Sequence, residues 1–231
     1  MSEVPLDEPG SGRQVLSPSQ EDYLKQIFLL GDGVRAVSTR DLSLRLDVRP
    51  ASVTGMVQRL AEQGFVRHEP YRGVRLTDDG RRVALEMLRH HRLLETFLER
   101  VLGYGWEEVH DEAERLEHVI SERFEARIAE TMGHPTRDPH GDPIPDADLR
   151  LPPAPAEVRL TQVAVSETAA LTRVGTQDRE SLNRLSRAGL VPGVRVMVVA
   201  TDATGVTVAV DQERFPLPGE LAGEIWVQED A

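Results

Sequence analysis

Residues 38–76, STRDLSLRLDVRPASVTGMVQRLAEQGFVRHEPYRGVRL, decide the fold of the first part of the chain. Ser38 is a good helix N-cap, and Leu42 and Leu46 lie four apart, so a helix runs to about Leu46. Asp47-Val48-Arg49-Pro50 is a short turn, with proline at the first position of the next helix. That helix extends from about Pro50 to Gln63, turns Val53, Met56, Val57 and Leu60 inward, and stops at Gly64. Phe65-Val66 and Val74-Arg75-Leu76 are β-type runs on either side of a turn containing Pro70 and Gly73. Helix, tight turn, helix and hairpin in this order is the pattern of a winged-helix DNA reader, whose second helix enters the major groove.

The inward set leaves Ala51, Ser52, Thr54, Gly55 and Gln58 facing outward on the 50–63 helix. Small residues allow close approach to base edges, and Thr54 and Gln58 can donate hydrogen bonds to bases or phosphates. Arg40, Arg49, Arg59, Arg72 and Arg75 are candidate phosphate partners, and Tyr71-Arg72 stands at the tip of the wing. The same pattern also suits a packing or protein-contact module, without nucleic acid.

Upstream, PSQEDYLKQIFLL (18–30) places Tyr23, Leu24, Ile27 and Phe28 at helical spacing behind Ser17, and Gly31-Asp32-Gly33 ends it. Downstream, Thr77 caps a long helix of about 78–101, and Trp106 to Met132 reads as one further charged helix. Residues 133–155 hold seven of the 15 prolines and read as a linker in which His134 and His140 are plain linker residues. Beyond it VRLTQVAV, VRVMVVAT, GVTVAVD and EIWVQ are β-type runs, with one short helix around Asp178 to Arg187. The fold class is therefore mainly α with a small β domain. Its expected parts are a tail (1–16), a winged-helix domain (17–89), a helical domain (90–133), a linker (134–155) and a β-barrel (156–231).

Composition limits the partners. The net charge of −12 argues against nucleic acid only if it is spread evenly. Residues 17–90 carry 12 Lys/Arg and 10 Asp/Glu, so the acidic excess lies elsewhere, and screening lets phosphates feel only nearby charges. No run of about 18 apolar residues is present to cross a membrane. The first residues, MSEVPLDEPGSGRQ, lack the apolar segment of a secretory signal, and with no cysteine for disulfides or thiolate ligands a cytoplasmic protein is expected.

Metal chemistry is suggested by HDEAERLEH (110–118). His110, Glu114, Glu117 and His118 fall on one stripe of a helix, where adjacent carboxylates repel unless a cation lies between them. The preceding helix offers His91 and Glu95, also four apart. A solvated charged face is the alternative for each pair alone. A metal-dependent hydrolase is the remaining rival, but there is no nucleophile motif, glycine-rich phosphate loop or H-E-x-x-H.

The stretches SPSQEDYLKQIFLL, RPASVTGMVQRL, YRGVRLTDDGR, HHRLLETFL, VHDEAERLEHVIS and HGDPIP resemble the diphtheria toxin repressor family, most of all its manganese-responsive branch. The resemblance spans about residues 17–231. In its last domain mainly LNRLSRAGLVPGVRV matches, which implies an SH3-like barrel. It implies a metal-responsive repressor that binds a double-stranded DNA operator as a homodimer, paired through about residues 90–132, and that controls genes of metal uptake and homeostasis. It further implies a primary metal site of Asp22, Glu114, Glu117 and His118. The iron-responsive branch has methionine and cysteine in place of Asp22 and Glu114, and carboxylates there favour a harder ion, Mn²⁺ before Fe²⁺. A second site is implied at His91, Glu95 and His110, joined by Asp178 and, less well matched, Ser181 from the last domain. Lys25 stands where a binuclear manganese relative has glutamate, so the resemblance implies two separated sites. The alternatives are an iron(II)-responsive member of the family and a winged-helix regulator that no metal gates.

Overall fold

The computed structural model describes residues 16–69, 72–153 and 156–229. The expected N-terminal tail therefore lies almost wholly outside the described residues, as do Pro70 and Tyr71 of the wing tip. The chain separates into two compact units, residues 1–84 and 85–231.

The first unit contains α1 (Pro18–Leu30), α2 (Thr39–Arg45), α3 (Pro50–Glu62), β1 (Val66–Glu69), β2 (Gly73–Leu76) and the start of α4 (Asp78–Arg100). The Ser38 side chain accepts from Asp41 N and caps α2. The turn into α3 is closed by Val48 N bonding to Ser43 O and by the Ser43 hydroxyl donating to Val48 O at 2.6 Å. Val53, Val57 and Leu60 are fully buried and Met56 is half-buried, so α3 keeps its inward stripe. Strands β1 and β2 pair antiparallel from Val66↔Leu76 to Glu69↔Gly73, and Val37 bridges to Val74 at the root of this hairpin. The Thr77 hydroxyl accepts from Gly80 N and starts α4.

In the second unit, α4 is followed by α5 (Val109–Leu116) and α6 (Glu122–Thr131). The single helix expected over Trp106–Met132 is therefore two. Ser121 accepts from Phe124 N as the N-cap of α6, which starts a new helix where the apolar spacing of Leu116 and Ile120 had suggested continuity. Val119 is consequently 75% exposed.

The C-terminal part is a six-stranded antiparallel sheet in the order β3-β8-β4-β5-β6-β7. Its strands are β3 (Val158–Arg159), β4 (Thr168–Val174), β5 (Arg195–Asp202), β6 (Gly205–Val210), β7 (Glu213–Pro218) and β8 (Ile225–Glu229), with α7 (Arg179–Arg187) and α8 (Gly219–Gly223) between them. Two of these strands, β4 and β7, were not expected, and most of VRLTQVAV is a 3₁₀ turn and loop. Leu171, Val174, Leu182, Leu185, Val198 and Ile225 form the centre of its core, and Trp106 joins them from the segment before α5. In return Ile144, beyond α6, packs into the helical core with Leu93, Leu94, Leu98, Val109 and Ile128.

Residues 134–153 contain no helix or strand, but they are not slack. Arg92 donates to Pro143 O at 2.5 Å and Arg89 to Pro145 O at 2.6 Å. Val174 N of β4 donates to His140 O, and a methyl group at Gly141 (φ +89°) would collide with the Thr172 carbonyl oxygen. The expectation that His140 is a plain linker residue is corrected: it is completely buried. His134 is exposed.

Candidate metal centre

The 3.6-residue period of α4 puts His91 and Glu95 one turn apart on a face that is buried, at 6% and 1% exposure. His110, in the first turn of α5, meets them. His91 Nε2 lies 3.0 Å from Glu95 Oε1 and 3.0 Å from His110 Nδ1, and His110 Nδ1 lies 3.2 Å from Glu95 Oε1. Three donors on a triangle of this size suit one divalent cation, because bonds of about 2.1 Å at right angles hold ligand atoms about 3.0 Å apart. The other ring nitrogen of His91, Nδ1, is 2.6 Å from Glu117 Oε2. A carboxylate accepting that N–H leaves Nε2 with its lone pair toward the triangle, which is the usual orientation of a metal-ligating histidine. The nitrogen and carboxylate donors, without sulfur, fit a hard or borderline divalent ion.

Glu117 closes the C-terminal end of α5, with its other oxygen, Oε1, 3.5 Å from His118 Nε2. Glu95 and Glu117 thus each turn their two oxygens to different histidines. Burial alone would raise the pKa of Glu95, but the charge of His91 and the contacts of His110, His140 and His91 outweigh it and hold the carboxyl well below its usual range. Ionised at neutral pH, it is ready to act as a ligand.

A second group lies next to Glu95. Asp138 and His140 are buried, and one ligand atom from each falls within 4.8 Å of Glu95's. His140 Nε2 is 2.9 Å from the Trp106 carbonyl, which only accepts, so Nε2 carries the proton. Its ring is stacked on Trp106 with centroids 5.3 Å apart. Asp138 Oδ1 accepts from His140 N and Asp142 N, both at 2.9 Å. Burial together with the charges of Glu95 and Asp142 pushes the Asp138 carboxyl up to about 8, against Arg92 and His140. Burial opposes the charged form of His140, but Glu95, Asp138 and the Trp106 carbonyl prevail and raise it to about 9.

Two other expected ligands, Glu114 and Asp178, belong to no converging group of three among the described residues. Glu114 is half-exposed, with Oε1 3.6 Å from His110 Nε2. Asp178 does not reach the His91–Glu95–His110 triangle. It is the N-cap of α7, accepting from Ser181 N at 2.8 Å, and is exposed. Its Oδ2 is engaged by the backbone at this cap. Asp22 is half-buried on α1 in the first unit.

On the reading face, Ala51, Ser52, Thr54, Gly55, Gln58 and Arg59 of α3 are all exposed, as are Arg40, Arg49 and Arg72. A side chain at Gly55 would meet nothing within 4 Å. Thr54 donates to Pro50 O and Gln58 to Glu62, bonds within the helix that a partner can replace.

Three family descriptions match in succession: "Iron dependent repressor, N-terminal DNA binding domain" over residues 15–74, "Iron dependent repressor, metal binding and dimerisation domain" over 77–146, and "FeoA domain" over 158–229. The iron-dependent repressor IdeR of Mycobacterium tuberculosis (strain ATCC 25618 / H37Rv) is 38% identical over 226 residues, covering 92% of this chain and 98% of that protein. The chain belongs to the diphtheria toxin repressor family. This repressor is also 38% identical over 116 residues to the HTH-type transcriptional regulator MntR of Lysinibacillus sphaericus (strain C3-41), covering 50% of the chain and 83% of that protein. A solved structure described as a manganese-dependent transcriptional repressor in complex with manganese aligns with a TM-score of 0.84 at 40% identity, covering 91% of this chain and all of that one.

The repressor is thus a metal-dependent DNA-binding protein with a C-terminal SH3-like FeoA domain, from a family of transcriptional repressors rather than enzymes. The hydrolase reading falls. Among the described residues no helix is long and apolar enough to cross a membrane. Sequence reasoning about the repressor missed Asp138 and His140. They sit in DPHGDP, among prolines and without periodicity, and the only signal was that HGDPIP belongs to the matching stretches.

Proposed function

We propose that this repressor is a manganese-responsive regulator of metal-uptake and homeostasis genes, acting in the cytoplasm as a homodimer on double-stranded operator DNA. The observation that supports it most is the buried triangle of His91 Nε2, Glu95 Oε1 and His110 Nδ1, with His91 oriented by Glu117. The primary site in this reading is Asp22 with Glu114, Glu117 and His118, a set of hard donors without sulfur. When bound, the divalent ion supplies the positive charge that offsets repulsion among these carboxylates and fixes their spacing.

The chain's residues do the rest. Asp22 belongs to the helix that precedes the reading elements, whereas Glu114, Glu117 and His118 belong to the helical part of the second unit. A ligand set drawn from both ties the reading head to the part that pairs two chains, so that two α3 helices meet half-sites one helical turn apart. Ala51, Ser52, Thr54, Gly55 and Gln58 then face base edges, while Arg40, Arg49, Arg59 and Arg72, with Tyr71, which lies outside the described residues, meet the backbone. Asp178 stays with its capping role and is not proposed as a ligand. Metal gating of this kind needs a coupling of about 1–3 kcal/mol to be useful and about 5.5 kcal/mol to switch almost completely.

Footprinting on operator DNA with and without Mn²⁺ tests the reading. Wild-type protein protects DNA at far lower concentration with Mn²⁺, and Glu117→Ala loses most of that gain. An unchanged gain in the variant removes Glu117 from the mechanism, and no gain in wild type favours a regulator that metal does not gate. Iron is the second reading, favoured by the 38% identity over most of the chain to an iron-dependent repressor. Anaerobic titration with Fe²⁺ beside Mn²⁺ separates the two.

A further inference from the structure

The two oxygens of Glu95 face different donor sets. Oε1 points to His91 and His110, at 3.0 and 3.2 Å. Oε2 points to His140 Nδ1 at 3.8 Å. That nitrogen is fully buried and has no hydrogen-bond partner, while Nε2 of the same ring is fixed on the Trp106 carbonyl. A buried ring nitrogen without a partner is costly, and with Nε2 committed to the Trp106 carbonyl, Nδ1 is the ring atom left to meet a cation. At 3.8 Å the nitrogen and the carboxylate oxygen are too far apart for a hydrogen bond. They are within the span of two ligands of one cation, from about 3.0 Å when adjacent to about 4.2 Å when opposed, for bonds of about 2.1 Å. Asp138 completes the group: its Oδ1 is held by two backbone N–H groups, and Oδ2 lies 3.6 Å from Arg92 Nε.

We propose that Glu95 is a ligand shared by two divalent-cation positions, one formed with His91 and His110 and the other with Asp138 and His140. The proposal rests on the metal reading of the His91–Glu95–His110 triangle and adds a second ion beside it. A carboxylate that bridges two cations holds them about 3.5–4 Å apart. The Asp138–His140 position also carries a consequence for the C-terminal domain, because the His140 carbonyl accepts from Val174 N of β4. The same short segment thus supplies a cation ligand with one atom and grips the sheet with another.

The experiment counts and couples ions in the full-length protein, stripped with chelator and reloaded with Mn²⁺. Equilibrium dialysis with elemental analysis gives ions per chain, and electron paramagnetic resonance reads whether two Mn²⁺ ions are magnetically coupled. Asp138→Asn is the main variant, since the asparagine oxygen can still accept from both backbone N–H groups and keep the turn. His140→Ala is the second. Wild type shows a coupled pair; Asp138→Asn and His140→Ala each lose one ion per chain and the coupling, and keep an isolated-ion signal. Loss of one ion in His91→Ala but none in Asp138→Asn or His140→Ala, with only isolated ions in wild type, overturns the shared-ligand proposal and leaves the first position standing. No change in ion count in His91→Ala overturns the underlying metal reading as well. Unaltered far-ultraviolet circular dichroism identifies the variants that fold.

Discussion

His90 sits beside the proposed metal ligand His91 on α4 but looks the other way, with Nε2 2.9 Å from Glu125 Oε2. Arg89 Nε donates to the other oxygen of Glu125 at 2.5 Å. Burial, the largest single influence on His90, favours its neutral ring, yet Glu125 and the Glu117 carbonyl outweigh it and raise its pKa above 6.5. Burial likewise works against the Glu125 charge, and His90 and Arg89 lower its pKa below 4.5 nonetheless. Because His90 is raised, its contribution to stability is whole below 6.5 and fades as pH climbs through the folded value. Because Glu125 is lowered, its contribution is whole above 4.5 and fades as pH falls through the folded value. The melting-temperature gap between wild type and Glu125→Gln, measured in chelator, is therefore expected to be widest between 4.5 and 6.5 and to narrow on both sides. A gap that does not vary with pH contradicts this account.

At the scale of the element, the break between α5 and α6 shows what a one-dimensional pattern conveys. Ser121→Ala removes the N-cap of α6 and is expected to cost about 1 kcal/mol, read from denaturant unfolding. A loss under a few tenths means that tertiary contacts alone set this boundary. Leu116 and Ile120 keep helical spacing across the gap, so apolar periodicity reads through it, and only the serine marks the new start. For α2, α3 and the wing, cap, turn proline, apolar stripe and hairpin residues all agree, and the outward set of α3 was legible to the residue. The triangle of His91, Glu95 and His110 was half legible: spacing gave the α4 pair, whereas the meeting with α5 came from the resemblance. Residues 134–153 were the least legible. Their partners are carbonyls and carboxylates reached by Arg89 and Arg92 across more than 40 residues, and no local propensity encodes such contacts.

For the whole molecule, pairing of two chains is the open quantity. Val101, Leu102 and Tyr104 beyond α4 are 48%, 56% and 40% exposed, and Phe124 of α6 is 44% exposed with its ring 6.4 Å from that of Phe97. Burying such side chains against a second copy contributes about 25 cal/mol for each Å² removed from water. Sedimentation of the full-length protein is expected to give a dimer, and Phe124→Asp to shift it toward monomer at least tenfold in dissociation constant. A variant that sediments as wild type moves the interface elsewhere.

Trp106 lodges in the barrel's interior while Ile144 lodges among the helices, so the two halves of the second unit are interlocked at two separate places in the chain. No single cut divides them cleanly. A hybrid that joins this helical part to another protein's barrel at residue 134 would leave one cavity shaped for an absent indole and another for an absent isoleucine. Exchange of the C-terminal module between relatives, in the laboratory or by recombination, therefore has to carry three stretches of sequence together: the approach to α5, the proline-rich segment and the barrel itself.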